Sequence, residues 1–182
     1  MLKYLKRYRE SEETLLLFEK TLMPDYVLAS FRDVTPDFMK KVGAKALISD
    51  IDNTLVPYEI AEATDEIIAW VGSLREAKIP VTFVSNNKSD RVERFNQRLN
   101  CTAFADVHKP SVKYIMKSCE ITGIAPRDTL FLGDQLLTDA WAARRCGMKA
   151  AIVPPIKDKK TLFFKIKRLI EKPYMKKFAR LH

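Results

Sequence analysis

From Lys45 onward the chain alternates short apolar runs with amphipathic stretches, and this alternation restricts the fold more than any other feature. "KALISD" is apolar through Ala46, Leu47 and Ile48 and predicts a strand. "DEIIAWVGSLREA" then spaces Ile67, Ile68, Val71 and Leu74 three and four residues apart, the pattern of an amphipathic helix. "IPVTFVSNN" is a second strand rich in β-branched and aromatic residues, and "SDRVERFNQRLN" a second helix, with Asp90 three before Glu93 as its start. A short strand at Ala103–Ala105, a helix "SVKYIMKSCEITG" stopping near Gly123, and a strand "DTLFLGD" follow. "TDAWAARRCG" reads as a helix capped by Gly147, and "KAAIVPP" as a fifth strand ended by Pro154 and Pro155. Such order predicts an α/β fold, a central parallel five-stranded sheet flanked by helices. In that architecture ligands bind beyond the carboxyl ends of the strands.

The residues just after each strand therefore carry the functional reading. Asp50, Asp52, Asn53 and Thr54 follow the first strand; Ser85, Asn86 and Asn87 follow the second. Asp106, His108 and Lys109 follow the third, and Gly133, Asp134 and Asp139 the fourth. Several acids, one lysine and a small hydroxyl converging on one rim suit phosphoryl transfer with Mg²⁺. That hard cation takes carboxylate and carbonyl oxygens while keeping several waters. It also allows Asp50 and Asp134 to stay ionised side by side, which bare carboxylates resist.

These motifs, "DIDNTL" (50–55), "VSN" (84–86), Lys109 and "GDQLLTD" (133–139), resemble in order the four motifs of the haloacid dehalogenase (HAD) superfamily of phosphatases. Their combination is further similar to the subfamily IIIA, YqeG-like group, whose related members include phosphatidylglycerophosphate phosphatases. The resemblance spans about residues 45–153 and implies a Rossmann-like HAD fold. It implies Asp50 as the nucleophile that forms an aspartyl-phosphate, and Asp52 as the general acid and then base. It implies Ser85 and the Asn86 amide as ligands of the transferring phosphoryl group, and Lys109 as the cation that neutralises it. Mg²⁺ would be held by Asp50, the Asp52 backbone carbonyl, Asp134 and Asp139, the last directly, through water, or by orienting Lys109 or the metal waters; Asp139 equally suits a cap of the "AWAARRCG" helix. Thr54 reads as a loop support and His108 as a surface histidine. Asn87 and Lys88 fit either substrate contact or turn chemistry.

HAD enzymes commonly carry a cap between these motifs. Here 32 residues lie between Asp52 and Ser85 and 23 between Ser85 and Lys109, each enough for one helix and one strand. No cap domain fits, and an uncapped site suits a large or surface-bound substrate.

A chain of 182 residues, 47% apolar and 30% charged, predicts a single globular domain over 1–182. Its core would lie at about 45–155, with extensions at 1–44 and 157–182. No apolar run approaches the roughly 20 residues that span a bilayer. The basic start "MLKYLKRYRESEE" lacks an apolar h-region, so the expected location is cytoplasmic. Cys101, Cys119 and Cys146 have no CxxC spacing and predict reduced thiols without zinc or disulfides.

Nearly all of the net +9 charge sits in residues 157–182, where ten Lys/Arg face two acids. There Leu162, Phe163, Ile166, Leu169 and Ile170 form one helical stripe opposite the basic residues, with Phe164 off the stripe. Leu2, Tyr4, Leu5 and Tyr8 are likewise interleaved with basic residues. Such segments suit an anionic membrane surface from the inner face, and equally a stripe packed on the core with its charges in water. The tail carries no recognisable RNA-binding motif, which disfavours nucleic acid. Two classes of function follow. One is a Mg²⁺-dependent phosphatase of a membrane lipid phosphate, phosphatidylglycerophosphate first. The other is a phosphatase of a soluble metabolite, protein or polynucleotide end, or an RNA-associated protein using its basic tail.

Overall fold

The computed structural model describes residues 21–157. Its strands are β1 (Tyr26–Val27), β2 (Ala46–Ser49), β3 (Val81–Val84), β4 (Thr102–Phe104), β5 (Thr129–Gly133) and β6 (Lys149–Ile152). They form one sheet in the order β1-β6-β5-β2-β3-β4, with every neighbouring pair parallel. The helices are α1 (Pro36–Lys41), α2 (Asp65–Glu76), α3 (Ser89–Asn96), α4 (Lys113–Thr122) and α5 (Trp141–Arg145).

The two-residue period of a strand divides the core in two. Leu47, Phe83, Leu130, Leu132 and Ala151 face a cluster that takes in Met39 of α1, Ile67, Val71 and Leu74 of α2, and Val92 and Phe95 of α3. Ile48, Val84, Phe131, Ala150 and Ile152 face the opposite cluster, with Ile115 of α4 and Ala142 and Ala143 of α5. Both faces are thus covered by helices, which is why β2, β3 and β5 read as continuous apolar runs. Among the described residues no cap domain interrupts this frame.

The sheet has six strands where the sequence pattern predicts five. The added β1 is two residues long and too short to leave a periodic signal. It is secured from outside itself: the Asp25 N–H donates to the Ala150 carbonyl at 2.8 Å, and the Asp25 carboxylate accepts the Ala150 N–H at 2.7 Å. Arg144 of α5 pairs with Asp25 at 3.1 Å and donates to the Met23 carbonyl.

Other boundaries follow local chemistry. Thr64 caps α2 by accepting the Ile67 N–H, and Gly123 ends α4 with φ +68°, a left-handed conformation that glycine adopts without Cβ strain. The α3 helix begins one residue before Asp90, and Ser89 donates to Glu93 within it. "TDAWAARRCG" is not one helix: Leu136–Ala140 form a wide π-helical turn before α5 begins. The basic segment 158–182 and the "MLKYLKRY" segment lie outside the described residues.

Candidate active site

After β1 at the sheet edge, the chain lays down β2, moves outward to β3 and β4, and then returns to place β5 on the other side of β2. The carboxyl ends of β2 and β5 therefore flank the point where strand order reverses, the usual binding crevice of an open α/β sheet. Ser49 is in register with Leu132, and the Asp50 N–H donates to the Leu132 carbonyl at 2.9 Å. Asp50 and Asp134 thus leave adjacent strands at the same level.

The loop after β2 is tightly wound. Asn53 sits at φ +64° and donates its N–H to Val56 at 2.7 Å, while Leu55 donates to Ile51. Thr54 is turned inward by this winding, and its hydroxyl donates to Asp50 Oδ2 at 3.3 Å. It touches the predicted nucleophile as well as supporting the loop.

Lys109 arrives from the loop after β4 and is buried. Its ammonium donates to Asp50 Oδ1 at 2.6 Å and pairs with Asp139 Oδ1 at 2.8 Å. Asn86 fixes the backbone beneath it: its side-chain carbonyl accepts the Lys109 N–H at 2.6 Å, and its amide group donates to the Lys109 carbonyl. The Asn86 side chain is thus engaged in placing Lys109. His108 is exposed, in agreement with a surface role.

Asp139 does not cap a helix. The wide turn at Leu136–Ala140 swings its carboxylate back, where Oδ2 accepts the backbone N–H groups of Asp134 and Gln135 at 3.2 and 3.1 Å. Asp52 faces the other wall of the site. Its Oδ2 accepts from Ser85 at 3.4 Å and Asn87 at 3.2 Å, and its Oδ1 from Arg91 at 3.0 Å. Asn87 is therefore a partner of Asp52. Arg91, in the first turn of α3, carries no motif signal; in "SDRVERF" it is one of two arginines in a polar stretch.

The electrostatics are demanding. Asp50, Asp52, Asp134 and Asp139 are all buried, and Lys109 and Arg91 supply two cationic groups among them. Burial pushes the Asp50 carboxyl up to about 6, with the Asp139 and Asp52 charges adding to the rise and Lys109 opposing it. Burial alone would push the Lys109 ammonium down, but the Asp139 and Asp50 carboxylates outweigh it and hold Lys109 above its ordinary value. Carboxylate oxygens of Asp50, Asp134 and Asp139 all lie within 4.8 Å of one another. Two more carboxylates than cations, all oxygen donors and all buried, fit a hard divalent metal ion. Asp52 contributes no side-chain oxygen to that group of three.

The pocket so formed has a volume of about 180 Å³ and is lined by Asp50, Asp52, Ser85, Lys109, Asp139 and Tyr58, among others. That space is small beside sites that enclose a whole ligand, typically about 300 Å³ or more. A larger cavity of about 500 Å³ lies at the opposite, amino-terminal end of β2 and β3, between Pro36 and Ile79, far from these acids.

A parallel sheet with this acid cluster at its switch point defines the class: the chain belongs to the haloacid dehalogenase-like hydrolases, whose family model matches residues 27–153. Among curated proteins it is similar to one from Bacillus subtilis named probable phosphatase YqeG. The two are 30% identical over 156 residues, 86% of this chain and 91% of that protein. Two solved structures share the fold. The cobalt-bound deoxy-D-mannose-octulosonate 8-phosphate phosphatase of Haemophilus influenzae aligns with TM-score 0.51 and 19% identity, over 70% of this chain and 77% of its own. A hypothetical protein from Xanthomonas campestris aligns with TM-score 0.51 and 20% identity, over 68% and 72%.

Proposed function

We propose that this chain is a Mg²⁺-dependent phosphomonoester hydrolase that works through an aspartyl-phosphate on Asp50. The observation that carries this reading is the convergence of Asp50, Lys109, Asp134 and Asp139 at the ends of β2 and β5. The Asp50 carboxylate attacks phosphorus, and the bond to the ester oxygen breaks as Asp52 passes it a proton. Asp52 then takes a proton from water, which attacks phosphorus and frees Asp50. Ser85 and the backbone N–H of Asn86 line the phosphoryl position, and Lys109 neutralises charge there before the reaction begins. Asp50, Asp134, Asp139 and the Asp52 backbone carbonyl are the residues to hold Mg²⁺, which supplies Lewis-acid polarisation of the phosphoryl oxygens. The relative from Bacillus subtilis is itself named a probable phosphatase, which agrees with this reading.

The preferred substrate is a membrane lipid phosphate, phosphatidylglycerophosphate first. A pocket of about 180 Å³ admits the phosphoryl group while leaving the rest of the substrate outside. Outside it lies an apolar lip: Tyr58, Ile60 and Ile156 are 44, 41 and 49% exposed. Pro57, Ile60 and Ile156 also border a largely apolar groove of about 420 Å³ beside the site. Apolar side chains left exposed around a polar site mark an interaction surface. No helix among the described residues is long and apolar enough to cross a membrane.

A panel of substrates tests the assignment. Phosphate release from phosphatidylglycerophosphate in anionic vesicles should exceed that from soluble phosphomonoesters. Brisk turnover of soluble esters with none on the lipid would move the substrate to the soluble class.

A further inference from the structure

Arg91 meets the functional site although neither the motifs nor their spacing mark it. Its Nη2 donates to Asp52 Oδ1 at 3.0 Å and to the Ile60 carbonyl at 2.7 Å, and its Nη1 donates to the Ala61 carbonyl at 2.6 Å. The side chain is 12% exposed, and its carbon Cζ lies 5.9 Å from the centre of the Phe95 ring, one helical turn on. Its Nε–H is buried with no hydrogen-bond partner among the described residues. A side chain kept only for packing has no need of a buried, unmet N–H, since an apolar residue of the same length fills that volume without the cost. What the guanidinium adds is direction. Nη2 fastens Asp52, and both Nη groups are themselves fastened to the rim loop at Ile60 and Ala61.

We infer that Arg91 is the positioning residue for proton transfer by Asp52, an inference that rests on the phosphatase reading above. Asp52 Oδ2 is held by Ser85 and Asn87, and Arg91 fixes Oδ1, so the carboxyl plane is set at both oxygens. A proton donor must meet the leaving oxygen at hydrogen-bond distance and in line, and a rotating carboxyl loses that geometry. No hydrogen bond or ion pair joins Arg91 to Asp50, Lys109 or Asp139 among the described residues. The side-chain partners of the nucleophile and of Asp139 therefore do not include it.

The dependence on leaving group separates this role from a structural one. In the first step the Asp50–phosphorus bond forms and the ester bond breaks, with the Asp52 proton going to the leaving oxygen. An alkyl alcohol needs that proton; a nitrophenolate departs without it. The constant kcat/KM reports this step, so full-length wild type, Arg91→Met and Arg91→Lys are compared with Mg²⁺ on an alkyl phosphate and on p-nitrophenyl phosphate. Arg91→Met should lower kcat/KM by about 10²-fold on the alkyl ester and by less than about fivefold on the aryl ester. Arg91→Lys, which keeps the charge on Asp52, should recover about tenfold of the alkyl loss, and Arg91→Met should add little to Asp52→Asn. Equal losses on both esters in the folded Lys variant, or additive losses in the double variant, would overturn the positioning role. Wild type inactive on both esters would instead overturn the phosphatase reading, and the role with it.

Discussion

Gly133 and Asp139 compete for one space: a Cβ added at Gly133 would fall 2.5 Å from Asp139 Oδ2, well inside contact distance. The absent side chain at the end of β5 is what lets the wide turn fold the Asp139 carboxylate back over the Asp134 and Gln135 N–H groups. Gly133→Ala should therefore push Asp139 away from Lys109 and from the metal position. The expected cost is about 1–3 kcal/mol in folding, as for other forced overpacking. Thermal unfolding with and without Mg²⁺ checks this, and the stabilisation by Mg²⁺ should shrink in the variant.

Lys109 compensates two buried carboxylates at once, at 2.6 and 2.8 Å. Lys109→Met leaves Asp50 and Asp139 facing each other without a cation. Loss of one partner from a buried ion pair costs about 3–5 kcal/mol, and Mg²⁺ should recover part of it. Denaturant unfolding of the variant in chelator and then in Mg²⁺ measures both effects.

The Asp50 carboxyl, raised from 3.8 to about 6, fixes the sign of a pH effect. In the metal-free protein the folded state holds this proton more tightly than the unfolded chain. Its contribution to stability is therefore complete below the unfolded value and is lost as pH rises through about 6. Asp50→Asn carries no such charge, so the metal-free variant should gain roughly 2–3 kcal/mol on wild type between about pH 4 and 7. Mg²⁺ competes with the same proton, so its affinity for wild type should weaken as pH falls below about 6. Paired denaturation curves and metal titrations across that range test both statements.

The apolar runs made the frame readable, because strands buried on both faces must be apolar along their length, as "ALIS" and "TLFLG" are. The polar residues at their ends then stood out as candidates, and the structure brings Asp50, Asp52, Ser85, Lys109 and Asp139 to one pocket. Asp134 joins them through its carboxylate beside Asp50 and Asp139. What the sequence conceals is what depends on distant partners. Strand β1 exists through the bonds of Met23 with Arg144 and of Asp25 with Ala150, each pair over 120 residues apart in the chain. Arg91 lies on a helix whose other charged residues, Asp90, Glu93 and Arg94, face water, and nothing local shows that this one turns inward. The polar atoms of the Asn86 side chain are likewise used by the Lys109 backbone, 23 residues on, a partner nothing local reveals.

All three cysteines are free, and burial pushes the Cys146 thiol up to about 11. The thiolate is the reactive form. Alkylation of the native protein at pH 8 should therefore be much slower than in denaturant, which timed labelling followed by mass spectrometry measures.

On the proposed mechanism Asp50 is a nucleophile served by a divalent metal. Phosphate release from a phosphomonoester by wild type and Asp50→Asn, each with Mg²⁺ and with chelator, tests it most directly. Wild type with Mg²⁺ should turn over, and either change alone should lower the rate by about 10⁴-fold or more while the variant remains folded. Turnover by Asp50→Asn within about tenfold of wild type would contradict the account.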